Sequence, residues 1–295
     1  MDQVLKDYLC DAVSATDMAM EGFLPTHDVS PGSIHEAMRY PVFAGGKRLR
    51  PVLCIAAAEA CGGSRENALA AACAVELMHT YSLVHDDLPS MDNDDLRRGR
   101  PTTHKVYGEG MAVLCGDALL TEAFAVLAKA SPTARFTVGD MIAELAETGG
   151  SRKLIGGQVL DLEGEGKALR KEDLIKIHEA KTAALLVCSL RLGAMSANAD
   201  ATELHALSEY GYSLGLAFQA IDDILDVTQT TESLGKTAGK DEAVSKATYP
   251  AVWGLEGARA EAGRLTQVAL DALKPFGAAG GRLREIAEWM LLREY

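Results

Sequence analysis

The stretch from 203 to 227, ELHALSEYGYSLGLAFQAIDDILDV, decides how the chain folds. Leu204, Leu207, Gly211, Leu214, Phe218, Ile221 and Leu225 recur at intervals of three and four, which predicts a largely buried helix. Its last turns change character. Asp222, Asp223 and Asp226 stand on an otherwise apolar helix, with Asp222 and Asp226 only ~40° apart around it. Carboxylates placed there are costly unless a cation meets them. Such a helix suits the middle of a bundle whose site is built from facing helices.

A second helix of the same kind is predicted over 65–88, and it too ends in acid. The run YSLVHDDLPSMDNDDLRRGR (81–100) holds Asp86, Asp87, Asp92, Asp94 and Asp95, then Arg97, Arg98 and Arg100. Asp86 and Asp87 close the apolar helix, and Pro89 limits its continuation. Helical periodicity runs through nearly the whole chain, predicting further helices near 2–21, 33–41, 50–61, 111–130, 134–148, 151–163, 171–193, 249–274 and 281–293. Breakers separate them: the glycine pairs at 62–63, 149–150 and 280–281, "GEG" at 164–166, Pro101, Pro132 and Pro275. No Pro/Ser-rich linker and no repeat divides the chain. The expectation is an all-α, single-domain helical bundle over 1–295, with about ten or more helices around a central cavity.

Of the 295 residues, 48% are hydrophobic and 24% charged, which is ordinary for a folded protein. The net charge of −13 argues against nucleic acid or an anionic membrane as the main partner. Cys10, Cys54, Cys61, Cys73, Cys115 and Cys188 show no metal-ligand spacing and read as reduced core thiols. No secretory signal and no uninterrupted apolar run of ~20 residues appears, so a cytoplasmic location without a membrane span is expected.

Carboxylates without His or Cys ligands suit Mg²⁺, which completes its coordination with substrate phosphates. The bases nearby fit that substrate. Arg97, Arg98 and Arg100 can fork onto phosphate oxygens, and Lys47, Arg48 and Arg50 in GGKRLRP form a second cluster behind a Gly-Gly turn. Taken alone, DDLPSMD reads as a polar loop and GGKRLRP as a helix start with solvated bases. Two acidic helix ends with two basic clusters outweigh those readings. His79 lies ~20° from Asp86 around the helix, so both face the same way.

These segments resemble the trans-isoprenyl diphosphate synthases, in particular bacterial farnesyl and geranylgeranyl diphosphate synthases. FAGGKRLRP, HTYSLVHDDLPSMDNDDLRRGRPTTH, GGQVLDL, HEAKTAALL, FQAIDDILDV, LGKTAGKD and SKATYPAV occur in the family's order and cover nearly the whole chain. The resemblance implies the isoprenoid synthase fold and condensation of isopentenyl diphosphate with an allylic diphosphate. It implies Mg²⁺ as cofactor, in three ions, with Mn²⁺ as a substitute, and a homodimer. Asp86, Asp92 and Asp222 would be the main metal ligands, supported by Asp87, Asp223 and Asp226. Arg97, Lys181, Lys236 and Lys246 would hold the allylic diphosphate; Lys47, Arg50, His79 and Arg98 would hold isopentenyl diphosphate. Thr182 and Gln219 would face the carbocation with oxygen dipoles. Lys240, Arg100 and Gln158 are weaker candidates, and His85, His104 and His178 are read as structural.

Product length in this family often depends on the positions four and five before the first aspartate, here Ser82 and Tyr81. Ser82 lies ~40° from Asp86, whereas Tyr81 lies ~140° away and could floor the pocket only if the helix bends or bulges. A bulky Tyr81 resembles the farnesyl, C15, type; the alternative is geranylgeranyl, C20. A terpene cyclase is disfavoured because its second motif needs Ser/Thr where Asp226 stands and Glu where Thr230 stands. A non-catalytic subunit of a heteromeric synthase is a distant alternative, since both acidic clusters and both basic clusters are intact.

Overall fold

The computed structural model describes residues 2–167, 169–228 and 248–291. Helices come first in chain order as α1 (Gln3–Phe23), α2 (Gly32–Val42), α3 (Leu49–Ala60) and α4 (Arg65–Asp86). A two-residue hairpin follows, β1 (Leu96–Arg97) paired antiparallel with β2 (Arg100–Pro101). Then come α5 (Thr103–Tyr107), α6 (Glu109–Leu127), α7 (Val138–Gly149), α8 (Leu154–Gly164) and α9 (Lys171–His178). A π-helical turn over Glu179–Ala183 leads into α10 (Ala184–Ser196), and α11 (Ala201–Thr228) is the longest helix among the described residues. Beyond residue 248 lie α12 (Tyr249–Trp253), α13 (Leu255–Ala272) and α14 (Gly281–Leu291).

The all-α expectation holds, and the hairpin is the only strand pair among the described residues. Helix α10 organises the interior. It packs on α3, α4, α7 and α11, burying Leu185, Leu186, Leu190 and Leu192. Helix α3 is buried from Pro51 to Ala58, and the alanine-rich α4 lies between it and α6. Small side chains let these helices approach closely, so many short contacts replace a few long ones.

Two predicted helices are broken in the structure. The span predicted from 249 to 274 divides at Gly254, whose φ of +70° an L side chain seldom adopts. The span predicted from 171 to 193 contains the π-turn. The expectation of no uninterrupted apolar run of ~20 residues holds even in α6, which Asp117 and Glu122 interrupt. With 19 residues and a mean hydropathy of 1.6, α6 is the one described helix long and apolar enough to cross a bilayer. It packs along α4 and against α2, α5 and α7.

Candidate active site

The first acidic wall forms where α4 stops. Asp87 caps the helix, and the chain folds back so that Asp92 N donates to Asp86 O (2.8 Å) and Asp94 N to Asp87 O (3.2 Å). This return brings Asp92 beside Asp86. Burial pushes the Asp86 carboxyl up from 3.8 to about 6, with Asp92 and Asp87 adding to the effect while Lys181 and Arg97 oppose it. Asp87 is spent on Arg97, whose Nε donates to both carboxylate oxygens (2.7 and 2.9 Å) and whose Nη2 donates to one (2.6 Å). Burial still raises the Asp87 carboxyl despite this partner.

The hairpin separates the two arginines. Arg97 turns to Asp87, whereas Arg98 (φ +55°) donates to the carbonyl of Gly45. Gly46 beside this seat holds φ +134°, which an L side chain seldom adopts, and a Cβ there would also push the Arg98 guanidinium aside. Arg50 lies near the same seat, its Nε buried without a hydrogen-bond partner. Burial pulls Arg50 down to about 10, Glu76 opposes this and Arg98 adds to it. Burial, then the charges of Arg50, Arg98, Arg97 and Arg48, hold His79 well below the usual imidazole range, so it is neutral. The structure therefore brings Arg50, His79 and Arg98 together, with Lys47 exposed at the turn beside them. Arg48 corrects the sequence grouping, because it turns inward instead of joining the fork.

The second wall is held more firmly than its sequence suggests. Asp223 accepts from Gln219 Nε2 (2.7 Å) and from the Tyr249 backbone N–H (2.9 Å), with His178 Nε2 3.8 Å away. His178 in turn stacks on the Tyr249 ring. Asp223 and Asp226 are buried, and Asp222 is half-buried. Gln219 also accepts from Thr182 Oγ1 (3.1 Å), joining α11 to the π-turn. Lys181, the preceding residue, pairs with Asp161 of α8 (2.5 Å) and acts electrostatically on Asp86. A Cβ on Gly157 would lie 2.3 Å from Lys181 N, and one on Gly215 would lie 2.6 Å from Ala183 Cα. Both glycines let their helices close on the π-turn.

Lys236, Lys246 and Lys240 lie outside the described residues. Helix α4 has no bulge, and Tyr81 packs edge-on to His85, its hydroxyl pushed up by burial and by the Asp86 charge. The Ser82 hydroxyl donates to His79 O. The sequence did not single out Asp161, although a lone acid inside GGQVLDL was a usable signal. Glu76 was also missed, although an acid in a run of buried alanines and leucines needs a partner.

Among the described residues, no three His, Cys, Asp or Glu side chains already form a metal cage. That fits a cation that takes one or two carboxylates and draws its remaining ligands from phosphate. The donors are all oxygen, and Asp92 and Asp87 crowd Asp86, whose carboxyl burial drives up despite Lys181 and Arg97. The residues fit Mg²⁺.

With this geometry in view, the likenesses to known proteins are consistent with one another. The profile of polyprenyl synthetases matches residues 31–274. A chloroplastic geranylgeranyl pyrophosphate synthase from Capsicum annuum is 51% identical over 90% of this chain and 71% of its own length. A dimethylallyltranstransferase from Fischerella ambigua is 44% identical over 99% of this chain and 84% of its own. The crystal structure of an FPP/GFPP synthase from Zymomonas mobilis superposes with a TM-score of 0.86 at 35% identity, covering 98% of this chain and all of that one. The isoprenoid synthase fold that the family resemblance implied is thus present, and the chain belongs to the polyprenyl synthetase family of prenyltransferases.

Proposed function

We propose that the protein condenses isopentenyl diphosphate head-to-tail with dimethylallyl and geranyl diphosphates to make farnesyl diphosphate. One observation supports this most strongly. The π-turn links both acidic walls, through Lys181 beside Asp86 and through Thr182 bonded to Gln219, while Arg50, His79 and Arg98 form a separate basic pocket. A site with two diphosphate positions and one acidic cleft matches a two-substrate condensation.

Asp86, Asp92 and Asp222 would hold Mg²⁺, in three ions, with Asp87, Asp223 and Asp226 in support. When bound, the metal supplies charge neutralisation that makes the allylic diphosphate a leaving group. Arg97, Lys181, Lys236 and Lys246 bind that diphosphate, and Lys181 must leave Asp161 to do so. Lys47, Arg50, His79 and Arg98 bind the isopentenyl diphosphate and point its double bond at the allylic carbon. Thr182 and Gln219 turn oxygen lone pairs toward the developing cation. Departing pyrophosphate takes the final proton, so no side chain is needed as base.

A C20 product is the second reading. It is favoured by relatives named as geranylgeranyl synthases and by the unbulged α4, in which Tyr81 packs on His85. Ser82 remains the proposed length-setting residue, and Tyr81 would join it only if α4 bends when substrate binds. The test is incubation with radiolabelled isopentenyl diphosphate, Mg²⁺ and each of dimethylallyl, geranyl and farnesyl diphosphate, with products separated by length. Farnesol after dephosphorylation, with no extension of farnesyl diphosphate, supports C15; geranylgeraniol supports C20. Absence of any elongation by folded protein would favour a non-catalytic subunit instead.

We also read residues 1–295 as one functional unit in the cytoplasm, consistent with six free thiols. A homodimer is proposed through α6, which is apolar around most of its circumference yet leaves Val113 and Leu114 exposed at 42% and 56%. A helix of that kind is normally covered on all sides.

A further inference from the structure

Arg48 and Glu76 belong to neither proposed diphosphate position, yet both are buried next to one. Their side chains are 1% and 2% exposed, and Arg48 Nη1 donates to Glu76 Oε1 at 2.9 Å. Arg48 also donates from Nε to Asp17 Oδ1 (2.9 Å) and from Nη2 to the carbonyl of Val42. One guanidinium thus ties α1, the end of α2 and the middle of α4 to the first residue before α3. Arg48 sits at φ +47°, a region non-glycine residues rarely occupy, so its side-chain contacts hold the backbone there. Lys47 and Arg50 flank this fixed point, and Glu76 precedes His79 by three residues, on a neighbouring part of the same helix surface.

Glu76 does a second thing. Its charge opposes the effects that pull Arg50 and Arg98 down, namely burial and, for each, the other cations around it. A buried ion pair is weak evidence for stability, since apolar replacements are often as good. This pair stands where cations must be crowded before any diphosphate arrives. We infer that Glu76, acting through Arg48, is a positioning residue that holds the Gly45–Arg50 turn in register with His79 and Arg98. The inference rests on reading Lys47, Arg50, His79 and Arg98 as the isopentenyl diphosphate position.

Steady-state kinetics on Glu76→Gln, the double variant Arg48→Met with Glu76→Leu, and Arg50→Ala test it. Glu76→Gln should raise KM for isopentenyl diphosphate by about tenfold or more, leaving the allylic KM within about twofold. The double variant removes both charges together, so its melting temperature should stay near that of the native protein while the raised isopentenyl KM persists. A pair that served stability alone would show native KM in the double variant, and that result overturns the inference. Native KM in folded Glu76→Gln overturns it as well. Should Glu76→Gln fail to fold, the double variant decides. Arg50→Ala separates the two levels: if it raises the allylic KM and spares the isopentenyl one, the assignment of the pocket falls first.

Discussion

Two adjacent acids on one helix turn, Asp222 and Asp223, are proposed to take different roles. Asp223 spends its oxygens on Gln219 and on the Tyr249 backbone, so it braces the wall. Asp223→Asn should cost about 1–3 kcal/mol in thermal or urea unfolding, because an amide cannot accept both bonds at once. Asp222→Asn, at a proposed metal-holding acid, should lower kcat by about a hundredfold or more in the radiolabel assay. Asp86 adds a pH signature. Its folded carboxyl titrates near 6 against an ordinary 3.8, so the folded state holds the proton more tightly. Metal-free stability from this group is therefore present below about 4 and is lost as pH rises toward 6. Asp86→Asn should flatten that part of a stability-against-pH curve, and an unchanged slope would assign it elsewhere. The aspartates were legible as a site because acid on an apolar helix is conspicuous. Their division of labour was not, since the bonds that Gln219 and the Tyr249 backbone make to Asp223 come from packing that the sequence does not show.

At the scale of elements, the helices were legible because their apolar periods and their glycine or proline stops agreed. The π-turn was invisible for a physical reason. Glu179–Ala183 is made of ordinary helix-compatible residues, and one widened turn hardly disturbs a hydrophobic period. Its cause lies in long-range packing, where Gly157 and Gly215 admit α8 and α11 against it. Gly157→Ala would put a methyl group into the Lys181 backbone. We expect a loss of roughly 1–3 kcal/mol in stability and a fall of at least about tenfold in kcat, read by thermal unfolding and by the condensation assay. Native kcat in this variant would show that the turn does not set the position of Lys181. The break at Gly254 was missed for a different reason, since an isolated glycine inside a periodic run is often tolerated.

For the whole molecule, the bundle carries two acidic helix ends and a basic pocket, while leaving α6 partly uncovered. Leu114→Glu should convert the proposed homodimer to a monomer in light scattering, and an unchanged mass would remove α6 from the proposed interface. The central claim is that the ends of α4 and α11 form a single metal–diphosphate site. The most direct test is a crystal structure with Mn²⁺ and an inert thio-analogue of an allylic diphosphate, using anomalous scattering to find the metal. The account predicts metal peaks at both Asp86/Asp92 and Asp222, bridged by one diphosphate that Arg97 and Lys181 also touch. Metal at one wall only, or a diphosphate bound away from both, would contradict it.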